Sequence, residues 1–371
     1  VKNDMSTQAG PLEGLRILEF AGIGPAPFCG RLFADLGADV LRIDREGGYE
    51  YDRYSVDTRG RRSVILDLKS RKGLAVALEL LGKADALIES FRPGVMERLG
   101  LGPDVALERN PTLVYGRMTG WGQTGPMAHA PGHDINYVAL SGALHALGPK
   151  EKPAVPLNLI GDFGGGALWL AFGILAALRH VEQGGAGQVI DCAMTEGVIS
   201  TMGLLYGVFA AGRWKDERES NIIDGGAHFY NTYECADGKW IAIGSIEKPF
   251  YVALMEALEI DDPEFSDPRI EENWPRLKAK LELVFKARTR DEWCAHFEGT
   301  EVCFAPVLSL TEAPEHPQNK ARGSFVDVDG VRQPPPLPRF SHTPGAIQSP
   351  PAPAGTGGEE ALRDWGIEEA Q

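Results

Sequence analysis

The sequence predicts an α/β protein, with a large domain on a parallel sheet covered by helices on both faces and a smaller α+β domain after it. Two observations carry this reading. Short apolar runs alternate with helix-period segments over the first half of the chain, and the pattern changes near residue 213. Strands buried on both faces read as near-continuous apolar runs, which is what helices on either side of a parallel sheet require.

In order, "LRILEF" reads as a buried strand, "FCGRLFADLG" as a helix ending at Gly37, and "ADVLRID" as a second strand. "RKGLAVALELLGKA" is a helix, "DALIES" a strand and "TLVYGRM" another. A helix from Gly164 to about Val181 and then "QVIDCAM" continue the alternation. These assignments give a large domain over residues 11–212. The charged run "RWKDERES" and the loop-like "NIIDGGAHF" follow. "YNTYECADGKWIAIGS" then reads as a hairpin around Ala236-Asp237-Gly238. The helical segments "KPFYVALMEALEI" and "RDEWCAHFEG" complete a small domain over 226–315. The proline-rich "RQPPPLPRFSHTPGAIQSPPAPAG" cannot form regular structure. Residues 316–371 are therefore expected as an arm over the surface of the large domain, with "GEEALRDWGI" a terminal helix.

Composition narrows the function. With 371 residues and 43% apolar content, the chain can bury a full core. A net charge of −15 argues against nucleic acid, because phosphate neutralisation needs a basic surface. It leaves room for one small phosphorylated ligand on a local cluster of cations. The five cysteines form no CxxC pair and no metal-like cluster. Reduced thiols, a cytoplasmic setting and no bound metal are the expectation. The opening "VKNDMSTQAG" has no apolar signal core, and Met5 is the expected natural start. The longest apolar run, "GALWLAFGILAAL", is expected to be too short for a bilayer and to form a buried helix without stable membrane insertion.

"LRILEFAGIGPAP…ADVLRID" has the outline of a Rossmann-like dinucleotide fingerprint: strand, Gly22-x-Gly24-x-x-Pro27, helix, strand and an acid at Asp44. Its chemistry is against nicotinamide binding. Pro25 and Pro27 remove two backbone donors, and Pro27 stands where a third glycine lets the helix pack closely. Asp44 lies between Arg42 and Arg45, as a structural ion-paired acid does. The loop is still expected to line a cleft, since it follows the carboxyl end of a parallel strand. Arg45, Lys69, Arg92 and Arg98 also fall near such ends. Singly each is an ordinary surface cation. Together, in an acidic protein, they suit a polyphosphate group.

"APGHDINYVALSGALHALG" and "PLNLIGDFGGGALWLAFGILAAL" carry the chemistry. His133 starts one helix and Asp162 another, each in mostly apolar sequence and each preceded by glycine, which lets something approach the backbone. A lone histidine is ordinarily structural, and an acid at a helix start is ordinarily a cap. As a pair they can serve as two proton-transfer groups. Glu247 opens a helix of the small domain, where a capping role is the simpler reading.

The segments "PLEGLRILEFAGIGPAPFCGRLFADLGADVLRIDR", "LDLKS", "RPGVMERLGLG", "GRMTGWGQTGP", "GHDINYVALSGALHALG", "NLIGDFGGGAL" and "TYECADGKWIAIGSIE" together resemble the family III CoA-transferases. They are most similar to the isomerase branch of that family, the α-methylacyl-CoA racemases. The resemblance runs from about Pro11 to Arg339. It implies that Asp162 is the nucleophile of the transferase chemistry or, paired with His133 of an intact "GHDINY", a base of the racemase chemistry. It places a small-domain carboxylate, Glu247, near His133, and it implies an interlocked homodimer with the site shared between subunits. It carries phosphate contacts onto Arg45, Lys69, Arg92 and Arg98. Further CoA contacts fall on Leu66, Asp67, Leu68, Ser90, Phe91, Gly132, His133, Asp134, Ile135, Asn136 and Tyr137.

The reaction so implied is racemisation of 2-methyl-branched acyl-CoA thioesters through an enolate. His133 is expected on the S face and Asp162 on the R face. CoA enters only as part of the substrate, and no metal or redox cofactor is required. Amides at the start of the Asp162 helix are the expected donors to the enolate oxygen. A helix start should depress a carboxyl's pKa, so burial would have to offset it. Acyl transfer to a carboxylate through an Asp162 anhydride is the rival enzyme reading, and a CoA- or nucleotide-binding module the rival without catalysis.

Overall fold

The computed structural model describes residues 10–367. Met5 and the rest of the opening nine residues lie outside that range. The chain divides into two compact units. The first comprises the chain up to Ser141, Pro156–Thr201 and the chain from Ala321 on, and the second Gly142–Val155 and Met202–Lys320.

The first unit holds the sheet. Its strands are β1 (Arg16–Phe20), β2 (Asp39–Asp44), β3 (Arg61–Ile65), β4 (Ala86–Glu89), β5 (Val114–Thr119) and β6 (Gln188–Ala193). They lie in the order β3-β2-β1-β4-β5-β6, and every pairing is parallel. On one face, α1 (Pro25–Asp35) and the helix Leu168–Glu182 close a core of Ile17, Phe33, Val40, Val114, Leu170 and Ile174. On the other, α2 (Arg71–Leu81) and the terminal helix Gly358–Asp364 cover Leu18, Leu41, Leu80, Leu87 and Trp365. Chain direction around the sheet reverses between β1 and β4. In such sheets, ligands bind in the crevice outside the carboxyl ends at that point.

The segment Leu159–Ala167 is π-helical and runs on into Leu168–Glu182, making one helix of 24 residues. The expected helix start at Gly164 is thus five residues too late. The expectation that the run is too short for a bilayer is also corrected, because by length and composition this helix could cross one. Its Leu170, Ile174, Ala177 and Leu178 are buried in the first unit. Leu168, Trp169, Phe172 and Leu175 are exposed.

Past residue 333 the arm runs without regular structure until the terminal helix. Arg59, fully buried, anchors it. Its guanidinium donates to both carboxyl oxygens of Asp35 at 2.9 and 2.6 Å, to Gln333 Oε1 at 2.6 Å and to the Pro334 carbonyl at 2.8 Å. Further on, the Ser63 amide donates to the Thr356 carbonyl at 2.9 Å, so the arm covers the open β3 edge.

The second unit is built on an antiparallel sheet, β7 (Tyr230–Glu234), β8 (Trp240–Gly244) and β9 (Phe304–Pro306). The β7–β8 turn closes with Cys235 N–H donating to the Lys239 carbonyl at 2.7 Å, and Gly238 takes a φ of 74° there. Helices Lys248–Ala257, Trp274–Phe285 and Arg290–Phe297 pack around Tyr233, Trp274, Phe285 and Trp293. The domain limits of 212 and 226 differ from the observed division. The helix Gly203–Ala210 and residues 142–155 belong to the second unit. The cause for 142–155 is Arg218, whose guanidinium donates to the carbonyls of His145, Pro149 and Lys150, each at 3.0 Å. Nothing in the composition of "GPKEKPAVP" announces that tie.

Candidate active site

A cavity of about 870 Å³ opens at the carboxyl ends of the sheet, and its lining comes from the first unit alone. The loop after β1, Ala21–Pro25, forms one wall. Arg45 after β2, Leu66–Lys69 after β3 and Ser90–Pro93 after β4 form the next. Thr119–Trp121 after β5, the Pro131–His133 turn and Asp162 close it. Met118, Ala128 and Met194 make part of the surface apolar.

The fingerprint-like loop shows why it is no dinucleotide site. α1 starts at Pro25, directly after Gly24 with φ 68°. The close helix–strand approach falls at Gly30, where a Cβ would stand 2.2 Å from Glu19 Oε2. Asp44 is held by Arg42 Nε at 2.7 Å, both side chains buried. Gly24 serves instead as a seat for Asp162, because a Cβ there would lie 3.0 Å from its Oδ2.

Several arginines of this unit are already spent on acids. Arg31 pairs with Asp57, Arg61 with Glu19, Arg62 with Asp39, and Arg117 with Glu89 and Glu97. Arg45, Lys69 and Arg92 line the cavity, and among the described residues their side chains make no ion pair. Three unpaired cations at one rim suit a polyanionic handle. Arg98 departs from expectation. It ends the short helix Val95–Arg98 with its guanidinium over Gly94, and it does not line the cavity.

The Ser90–Arg92 turn is held from below. Buried Glu89 accepts the Phe91 amide at 2.7 Å and Arg117 Nε at 2.8 Å, and burial pushes its carboxyl up to about 7. Asp67 Oδ1 accepts the Lys69 amide at 3.0 Å and fixes the preceding rim segment.

His133 caps the helix Asp134–Leu140 through its backbone, leaving its ring at the cavity. Asn136 Oδ1 accepts the His133 amide at 3.0 Å. Tyr137 packs edge-on to Trp121, with centroids 4.7 Å apart, and its hydroxyl donates to the Gly132 carbonyl. A Cβ on Gly132 would stand 2.7 Å from that tyrosine ring. The glycine before His133 therefore admits Tyr137.

Asp162 is the fourth residue of the π-helical segment, not a cap. π-Turns of this kind concentrate at functional sites. The glycines that follow let the segment sink against the helix Met194–Thr201. A Cβ on Gly165 would stand 2.6 Å from Val198, and one on Gly197 1.8 Å from the Gly165 carbonyl oxygen. Burial, then the negative charge of Asp134, push the Asp162 carboxyl up to about 6, while a hydrogen bond from Asn158 and the charge of His133 pull the other way. Asp162 lies in the first turn of its segment, and burial together with Asp134 outweighs the depression expected there.

The expected oxyanion donors are also corrected. The Asp162 amide donates to Asp134 Oδ2 at 2.6 Å, and the Gly161 amide bonds the same carboxylate. The glycine before Asp162 makes room for that carboxylate, since a Cβ on Gly161 would stand 2.5 Å from Asp134 Oδ2.

Of the residues singled out by sequence, His133, Asp162, Arg45, Leu66, Asp67, Leu68, Lys69, Ser90, Phe91, Arg92, Gly132 and Tyr137 all line the cavity. Asp134, Ile135 and Asn136 do not: Asp134 is buried behind Asp162, and Asn136 holds the His133 backbone. Glu247 lies in the second unit as the exposed N-cap of Lys248–Ala257, with no side-chain capping bond. Sequence reasoning missed Trp121, Tyr49 and Asn158. Trp121 and Tyr49 line the cavity, and Asn158, four positions before Asp162, hydrogen-bonds its carboxyl.

A positioned carboxyl and an imidazole on one cavity, beside three free cations, can move protons on an anionic substrate. No group of three or more His, Cys, Asp or Glu suited to a metal occurs among the described residues. The chain belongs to CoA-transferase family III, which it matches over residues 12–358. Among curated proteins it is 42% identical over 363 residues to the alpha-methylacyl-CoA racemase of Mus musculus, covering 97% of this chain and 94% of that one. It is 42% identical to the Homo sapiens protein of the same name, covering 96% and 94%. The succinyl-CoA–L-malate CoA-transferase alpha subunit of Chloroflexus aurantiacus is 32% identical, with 95% of this chain and 88% of that one covered. Among solved structures, a CAIB/BAIF family protein from Brucella suis superposes with a TM-score of 0.84 at 26% identity, covering 96% of this chain and 100% of that one.

Proposed function

We propose that the chain is a racemase of 2-methyl-branched acyl-CoA thioesters. The observation that carries this is the pairing, on one cavity, of His133 with an Asp162 carboxyl raised to about 6. The 42% identity to two alpha-methylacyl-CoA racemases supports it over the transferase reading.

Arg45, Lys69 and Arg92 bind the phosphates of CoA and fix the thioester over the crevice. The thioester carbonyl acidifies the α-hydrogen. Asp162 removes that proton from the R substrate and His133 from the S substrate. The partner returns a proton to the opposite face of the planar enolate. A carboxyl near 6 is ionised at neutral pH yet basic enough to accept a proton, which suits a general base better than an ordinary aspartate.

The working unit is a homodimer, with Glu247 of one subunit orienting His133 of the other. The family resemblance supports this, as do the exposed Leu168, Trp169, Phe172 and Leu175 on one helix, an apolar stripe of the kind that marks interaction surfaces.

The test is incubation in deuterated water with one enantiomer of a 2-methylacyl-CoA and no acceptor acid. Exchange of the α-hydrogen with loss of optical purity is expected. No exchange, together with CoA transfer to an added carboxylate, would establish the anhydride chemistry instead.

A further inference from the structure

The reading above gives Asp134 no chemical part, yet its carboxylate lies where Asp162 is held. It is buried, with 7% of its surface exposed. Its Oδ2 accepts the Asp162 amide at 2.6 Å, and the Gly161 amide also faces the carboxyl. Its Oδ1 is buried with no hydrogen-bond partner. Gly161 is required for this approach, since any Cβ would press into Oδ2 at 2.5 Å. A buried carboxylate with one oxygen left unbonded is costly, so a merely structural turn has no use for the negative charge. A neutral amide oxygen would accept the same amides.

We infer that Asp134 is the positioning residue for Asp162: it clamps the Gly161–Asp162 backbone so that the Asp162 carboxyl faces the cavity, and it sets a like charge beside that carboxyl. This rests on the racemase reading for its consequence in catalysis, but not for the clamp itself.

The surroundings leave Asp134 as the like charge next to Asp162. From the His133 turn and its helix come His133, Asp134 and Tyr137, and on its own segment Asn158. The loop before α1 presents the backbone of Gly24, and α1 presents Phe28, stacked on Phe163 at 4.5 Å. The helix Met194–Thr201 presents Met194 and Val198. The positive charge of Arg92 acts on Tyr137. Burial is the larger cause of the raised Asp162 carboxyl and Asp134 the second. Removing the charge should therefore move the titration part of the way back.

The test compares Asp134→Asn, which keeps an acceptor oxygen and loses the charge, with Asp134→Ala, which loses both. The Asp162 carboxyl is titrated directly by NMR in protein carrying 13C-labelled aspartate, with Asp162→Asn identifying its resonance. Asp162 should titrate near 6 in the wild type. It should fall by about one pH unit in Asp134→Asn. Exchange from the R substrate should follow the same shift, with its acidic limb moving to lower pH, while the S substrate keeps its profile. Asp134→Ala should lose roughly ten- to a hundredfold more R-side exchange than Asp134→Asn, because the carboxyl is no longer aimed. An Asp162 titration unmoved in Asp134→Asn overturns the inference, and so does equal R-side exchange in the two variants. Should Asp134→Ala fail to fold, the titration in Asp134→Asn decides. Absence of exchange in the wild type would defeat the racemase reading, whereas the titration needs no substrate and judges the charge of Asp134 by itself.

Discussion

At the scale of single residues, the proposed function depends on two side chains that carry little of the fold. His133 keeps its ring at the cavity while its backbone caps a helix. His133→Ala should abolish racemisation and leave CoA binding within a few-fold of wild type, measured by calorimetry with CoA itself. A matching collapse of the unfolding transition would count against a catalytic role. For Asp162 the raised carboxyl has a consequence for stability. The folded protein holds this proton up to about pH 6, whereas an ordinary aspartate releases it near 3.8. Between those values the folded state binds more protons than the unfolded one, so stability falls as pH rises, and above about 6 the loss is constant. Asp162→Asn removes that loss. Its stability should match wild type near pH 4 and exceed it at pH 7–8 by about 1 kcal/mol, allowing for solvent screening of a part-exposed group. Urea melts at the two pH values check the sign, and an advantage confined to acid would be contrary to it.

At the scale of elements, the site depends on how closely the Asp162 segment can approach the helix Met194–Thr201. That approach is bounded by Gly197, whose added Cβ would meet the Gly165 carbonyl oxygen at 1.8 Å, with backbone on both sides and no room to yield. Gly197→Ala should cost about 2–4 kcal/mol in urea unfolding. It should also lower kcat in whatever protein remains folded, because Asp162 moves with its segment. A change of less than 0.5 kcal/mol would mean that the two helices separate freely. The arm is the other element with a defined job. Arg59→Met should release it from Asp35, Gln333 and Pro334, leave their polar groups without a partner, and cost about 3 kcal/mol or more. Faster protease cleavage between residues 334 and 356 would report the released arm.

At the scale of the whole molecule, an acidic chain must hold an acidic substrate. The net charge of −15 makes unpaired cations at the rim the place where binding is decided. Arg45→Ala and Arg92→Ala should each raise KM for acyl-CoA about tenfold with little change in kcat, since the phosphates are remote from the reacting carbon. Arg98→Ala should change it less, because Arg98 is not on the cavity. A kcat effect at constant KM would move these arginines away from the phosphate role. The proposed sharing of the site between subunits has its own test. Glu247→Gln and His133→Ala, each inactive alone, should regain activity when mixed and refolded. In a mixed dimer one site then gathers only wild-type residues. No recovery in verified mixed dimers would leave Glu247 to its own chain.

The sequence by itself determined the parallel sheet, the loops at its carboxyl ends and the pair His133 and Asp162. Each is written locally: apolar runs of strand length, punctuation by glycine and proline, and titratable groups set in apolar surroundings. It did not determine the start of the Asp162 helix, since a π-turn and an α-turn differ by one hydrogen-bond step and share their composition. It placed Arg98 with the phosphate-facing cations by proximity in the chain, while its guanidinium lies over Gly94. It read the glycines before His133 and Asp162 as letting something approach the backbone, and only the structure shows that Tyr137 and Asp134 do so. Tertiary structure alone decided what Asp162 is, because a carboxyl's proton affinity depends on burial and on a neighbour 28 positions earlier, and neither is encoded at the residue itself.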